Sequence, residues 1–213
     1  MTTQVYLTPK DRGRALSLEE FESAGGQEGY HYELIDGKLD VSPLPNFPHD
    51  FIRKWLERRL DDYSDRHSEI LGHVQAPARV FVPGRAAGTT PEPDVAGYRD
   101  FPEEPDVEQL NWQDFSPIVV VEILSEDTAD KDLLRNLDLY LQVPSIREYW
   151  ILDPRSNANQ PSLTVHRRRG QRWQQPLEIL GGNTYTTRLL PGFQLTLTVR
   201  KRRRRGNGSG AND

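Results

Sequence analysis

Phe51, Ile52, Trp55, Leu56, Leu60 and Tyr63 recur at three- and four-residue steps, which predicts a long amphipathic helix over residues 48–66. Leu133, Leu134, Leu137, Tyr140 and Leu141 repeat the pattern and predict a second. A shorter helix opens at Ser17-Leu18-Glu19-Glu20, a capping box in which Ser17 and Glu20 satisfy each other's backbone N–H, and Gly25-Gly26 ends it. Strict alternation appears in residues 30–35 and 38–41, and the Asp36-Gly37 pair between them is a strong hairpin signal. Strands are expected at 78–82 and 93–98, separated by a Gly-rich loop. The run 117–125 (PIVVVEILS) is continuously β-branched, as in a central strand covered on both faces. With the 133–141 helix and a buried strand at 147–152 it forms a strand–helix–strand unit, hence parallel strands. Residues 162–167, 173–179 and 193–199 read as short antiparallel strands, and residues 99–116 as irregular. The fold class that follows is α/β, with a mixed central sheet flanked by helices and extra antiparallel strands at the C-terminal side.

The 213 residues suit one domain. The expected layout is a flexible N-terminal segment over 1–15, a folded body over 16–199 and a basic disordered tail over 200–213. Six consecutive cations, from Arg200 to Arg205, stand in that tail. Without it the net charge of −5 becomes −10, so an acidic body carries a basic end that can touch a polyanion. The absence of cysteine excludes disulfides, thiolate metal sites and a Cys nucleophile. No apolar run reaches the ~18–20 residues of a membrane span, and the N-terminus lacks a signal peptide's apolar segment. A cytoplasmic protein without a membrane partner is the expectation.

Glu122 is the most informative residue, because it interrupts the apolar run of the most central strand. Alternation puts it on one face with Val120 and Leu124. A buried carboxylate is normally paired, bound to a cation or protonated, since leaving it bare costs several kcal/mol. A salt bridge to a core arginine would serve structure alone. Asp94 follows a proline and begins a strand, and carboxylates at strand ends can converge on a hard-ligand site for Mg²⁺. Glu33 lies in the first hairpin strand. The five histidines never fall at zinc-ligand spacing, although His49 opens the long helix near the presumed sheet edge. Neither a phosphate-cradling glycine motif nor a Gly-x-Ser-x-Gly elbow is present.

YELIDGKL, His49 at a helix start, EPDV, VVVEILSEDT, a helix ending in LY and REYWILDP occur in a fixed order. This set resembles the Uma-two family of restriction-endonuclease-like proteins, within the PD-(D/E)XK nuclease superfamily, from about Leu16 to Phe193. The resemblance implies a restriction-endonuclease-like core and a metal-dependent endonuclease that hydrolyses DNA. Asp94 and Glu122 would hold Mg²⁺, with Mn²⁺ as substitute, and Glu33 would complete or tune the site. A homodimer would match a duplex substrate; a small-molecule cofactor is not expected. The superfamily's lysine, two residues after the Glu, is here Leu124, and Asn136 stands where family members supply a lysine from the next helix. Lys131 is the remaining candidate for a catalytic cation. The alternative is a catalytically degenerate relative that binds nucleic acid or a protein partner.

Overall fold

The computed structural model describes residues 5–85, 87–106, 108–125 and 130–199, the side chains of residues 130–132 excepted. The basic tail expected over 200–213 lies outside the described residues.

An N-terminal lobe comes first. It contains β1 (Tyr6–Leu7), α1 (Leu18–Ser23), β2 (Gly25–Gly26) and the hairpin of β3 (Tyr30–Ile35) and β4 (Lys38–Pro43). Both hydrogen bonds of the Ser17–Glu20 capping box are present. Asp36 and Gly37 have φ of 50° and 69°, the left-handed pair that a two-residue hairpin loop of matching twist demands. That loop sets the register, so Glu33 stands directly opposite Asp40. Residues 5–11, read from the sequence as a loose segment, contribute β1, which pairs in parallel with β2 and buries Leu7 against Leu16, Phe21, Leu34, Leu39 and Val41.

The main sheet is built from β5 (His73–Gln75), β6 (Val95–Tyr98), β7 (Val119–Ile123), β8 (Glu148–Asp153), β9 (Ser162–Arg169) and β10 (Arg172–Trp173), adjacent in the order β10-β9-β8-β7-β6-β5, with β11 (Leu177–Ile179) also on β9. Only β7 and β8 run parallel; the other neighbours are antiparallel. The sheet is mixed, as the sequence predicts. A separate hairpin of β12 (Thr184–Thr186) and β13 (Gln194–Thr196) follows.

The helices cover opposite faces. Ile52, Trp55, Leu56, Leu60 and Tyr63 of α2 (Phe47–Ser64) pack in one cluster with Val119, Val121 and Ile123. Leu139 and Tyr140 of α3 (Asp130–Leu141) pack in another with Val120 and Leu124. Alternation along β7 therefore turns Glu122 toward α3.

Two strand expectations change. Residues 78–82 form no regular strand, although the N–H groups of Ala78, Val80 and Val82 donate to the carbonyls of Pro93, Pro91 and Thr89. Prolines 91 and 93 have no N–H to return, so the ladder is one-sided. The expected strand 173–179 is split between β10 and β11 by residues 174–176, where Pro176 removes another donor.

Candidate active site

Asp94 immediately precedes β6, beside the C-terminal end of β7. Its Oδ2 accepts from the Ile123 N–H at 2.7 Å and meets His49 Nε2 at 3.1 Å. His49 lies in the first turn of α2, where the Asn46 side chain caps the helix by accepting from the His49 N–H. The N-terminus of α2 is thus pinned over the junction of β6 and β7. Burial works against a charged imidazole, but the hydrogen bond and the charge of Asp94 outweigh it, and the His49 pKa lies above the ordinary histidine value.

Glu122 is held from α3. Its Oε1 accepts from Tyr140 Oη at 2.7 Å and from Asn136 Nδ2 at 3.1 Å, two residues four apart on one helix face. Oε2 makes no hydrogen bond among the described residues, nor does Asp94 Oδ1. Burial raises the Glu122 pKa well above the usual carboxylate range; repulsion from Asp94 adds to this, and the Tyr140 hydrogen bond works the other way. Two carboxylates close enough to repel, each with one oxygen fixed and one open, face the same space.

Glu33 borders that space but is already engaged. Its Oε1 accepts from the Glu92 N–H at 2.7 Å, and its Oε2 from Arg135 at 3.0 Å. Arg135 also donates to Asp40 at 2.7 Å and to Asn136 Oδ1 at 3.0 Å. The guanidinium thereby bridges two acids that the hairpin register places side by side, a like-charge pair otherwise destabilising. Glu33 still has a raised pKa, because burial outweighs Arg135. Burial also opposes ionisation of Asp40, but Arg135 and then Arg12 hold its pKa below the usual value.

Glu33, Asp40, His49, Asp94, Glu122 and Arg135 line one cavity of ≈ 350 Å³, together with Asn136, Arg12, Asn46 and Ser125; Tyr140 supports Glu122 from behind its wall. The structure brings Asp94, Glu122 and Glu33 together. Lys131 belongs to the first turn of α3, but its side chain lies outside the described residues. Leu124 packs in the apolar cluster beneath α3 and Asn136 is committed to Glu122, so neither of these two positions places a cation at the site. Among the described residues, no group of three or more His, Cys, Asp or Glu side chains is arranged to hold a metal ion.

Sequence reasoning passed over Arg135, Tyr140 and Asp40 as site residues. The Asp36-Gly37 loop already implied that Glu33 and Asp40 stand opposite one another and require a cation. Nothing in the local pattern indicated that the cation comes from α3. Likewise, Tyr140 reads as a core position of an amphipathic helix, and only its hydroxyl reaches Glu122.

The mixed sheet with a helix on each face, and acidic side chains at the end of its central strands, define a restriction-endonuclease-like α/β fold. The chain belongs to the family whose model is described as "Uma2: Putative restriction endonuclease", matched over residues 18–199. It is similar in structure to a protein from Anabaena variabilis ATCC 29413 described as "a putative nuclease belonging to DUF820". That likeness has a TM-score of 0.62 at 17% identity, over 86% of this chain and 95% of the other. No curated protein matches the chain in sequence. Among the described residues, no helix is long and apolar enough to cross a membrane.

Proposed function

We propose that the chain is a divalent-metal-dependent endonuclease acting on DNA phosphodiester bonds. The observation that carries the reading is the pair Asp94 and Glu122, half-buried in one pocket with one open oxygen each and, among the described residues, neither lysine nor arginine bonded to either; His49 holds only the Asp94 oxygen turned away from the pair. A pair of carboxylates with open oxygens suits Mg²⁺, which uses one or two protein carboxylates and keeps waters or phosphate oxygens for its other positions. Glu33 is spent on Arg135 and tunes the field of the pair rather than offering a third ligand. When bound, such an ion polarises a phosphodiester oxygen and lowers the pKa of a bound water.

The chain's own contribution is positional. His49 and the Ile123 N–H hold one oxygen of Asp94, so its second oxygen faces the pocket. Tyr140 and Asn136 do the same for Glu122, and Arg135 orients Asn136 while neutralising Glu33 and Asp40. Lys131 is the candidate for stabilising the charge that develops on the phosphate.

Leu124 and Asn136 at the usual lysine positions favour a second reading, a degenerate relative that binds nucleic acid without cutting it. Cleavage of single- and double-stranded DNA in Mg²⁺ or Mn²⁺ separates the two. The first reading expects cleavage that Asp94→Asn or Glu122→Gln lowers by at least ~100-fold, and Lys131→Ala by a similar factor. No cleavage by the wild type under any of these conditions supports the second. Normal cleavage by Lys131→Ala leaves the nuclease reading but removes that lysine from it.

A further inference from the structure

The outward face of α2 is unusual for an acidic protein. Phe47 is 82% exposed and Phe51 43%, and Lys54 and Arg58 are exposed as well. At ~100° per residue these four positions fall within about 60° of one another, opposite the stripe of Ile52, Leu56 and Tyr63 that enters the core. Lys54 and Arg58 make no hydrogen bond or ion pair among the described residues, whereas the neighbouring Arg53 is tied to Asp50 and Glu57. Two aromatic rings and two uncommitted cations thus share one ridge, which neither core packing nor intrahelical pairing explains.

The ridge begins at the carboxylate pocket. Leu44, Pro45 and Asn46 line that pocket and lead directly into Phe47; Leu44 is itself 50% exposed. From Phe47 to Arg58 the helix advances about 16 Å, the length of roughly five stacked nucleotides at ~3.4 Å each. Exposed rings followed by cations match an unpaired strand, which offers base faces for stacking and phosphates for charge. A closed duplex hides those faces. The larger cavity of ≈ 1170 Å³ along the β5 edge suits a polyanion poorly, since its lining carries five carboxylates against two arginines.

From this juxtaposition we infer that the outer face of α2 is a platform for an unpaired strand of nucleic acid, stacking bases on Phe47 and Phe51 and leading the strand into the Asp94–Glu122 pocket. The inference rests on the nuclease reading of that pocket. Its test uses the full chain and a labelled single-stranded oligodeoxythymidylate in EDTA, so binding is read without cleavage and a failure of catalysis leaves this result standing. Phe47→Ala with Phe51→Ala should weaken binding at least about tenfold, with only a small fall in Tm because Phe47 is largely and Phe51 partly exposed. Phe47→Trp with Phe51→Trp should retain binding. Lys54→Ala with Arg58→Ala should reduce the slope of log K against log salt by about 1.4, the value for two phosphates on a single strand. Unchanged affinity and slope in these variants would overturn the platform. So would a blunt duplex that binds as tightly as the single strand and loses as much on Phe47→Ala with Phe51→Ala. A dimer that the Phe variants dissolve without weakening the oligonucleotide would instead assign the ridge to a second copy of the chain.

Discussion

Glu122 on β7 and Glu148 on the adjacent β8 are both carboxylates set in otherwise apolar strands of the sheet, and they are treated in opposite ways. Glu148 is saturated. Trp150 Nε1 and Tyr185 Oη donate to its Oε2 at 2.8 and 2.9 Å, Thr187 Oγ1 donates to its Oε1 at 2.6 Å, and Arg167 forms an ion pair with the same oxygen. These partners lie on β8, on β9 and in the stretch from β12, so the carboxylate fastens the C-terminal hairpin to the sheet. Glu122 receives two donors on one oxygen, has no directly bonded cation among the described residues, and faces the repelling Asp94. A buried acid that serves architecture has its hydrogen-bonding capacity filled. One with an oxygen held open toward a second acid is costly unless a ligand completes it.

The same isosteric substitution at both positions separates the two roles. Glu148→Gln places an amide N–H₂ among donors that need an acceptor, and should destabilise the fold by about 3 kcal/mol, the order expected when hydrogen bonds to a charged group are lost. Thermal unfolding would show it as a fall in Tm of roughly 6–12 °C. A Tm within a degree or two of the wild type would break the comparison, because Glu148 would then not be the fastener its contacts describe.

Added metal should act only on the other acid. At a Mn²⁺ concentration 100-fold above Kd, binding to the folded state alone stabilises by ~2.7 kcal/mol. The wild type and Glu148→Gln should both gain this increment in a thermal shift measured against EDTA, whereas Asp94→Asn should lose most of it. An equal shift in Asp94→Asn would place the ion elsewhere.

The smallest effect has the opposite sign to the first. Because the Glu122 pKa is raised in the folded chain, its stabilising contribution is present in the protonated form below the unfolded value and is lost as pH rises through the folded value. Without metal, Glu122→Gln should therefore raise Tm by a few degrees at neutral pH, and the gain should vanish in acid below about pH 4, where both states of the wild type are protonated. Should the variant be less stable than the wild type at pH 7, the charge on Glu122 is compensated by something other than a bound cation.

Much of the architecture follows from local rules. Apolar spacing in α2 and α3, the Ser17 cap and the Asp36-Gly37 loop depend on backbone periodicity and on residues a few positions apart, so they can be read directly. The parallel pairing of β7 with β8 follows from strand, helix and strand in succession, and alternation along β7 puts Glu122 on one face with Val120 and Leu124, a face that the packing then gives to α3. The expected strand over residues 78–82 is absent because the segment it faces carries prolines at 91 and 93, and a strand's donors matter only once the neighbour is known.

The candidate site divides along the same line. Glu122 stands out in the sequence because a charge within an apolar run is conspicuous, and Asp94 because it opens a strand after a proline, whereas Glu33 enters only through the family resemblance and Asp40 carries no signal that marks it as a site residue. The organisation of the site does not stand out. His49 reaches Asp94 across 45 residues, Arg135 reaches Glu33 across 102, and Tyr140 places its hydroxyl on Glu122 from the next helix. By itself the sequence determined which groups are chemically out of place and which way their strands turn them, since both are consequences of composition and backbone period. Only the tertiary structure decided which acid is neutralised by an arginine and which pair is left with open oxygens, because that depends on how two helices and a hairpin pack around the end of a sheet.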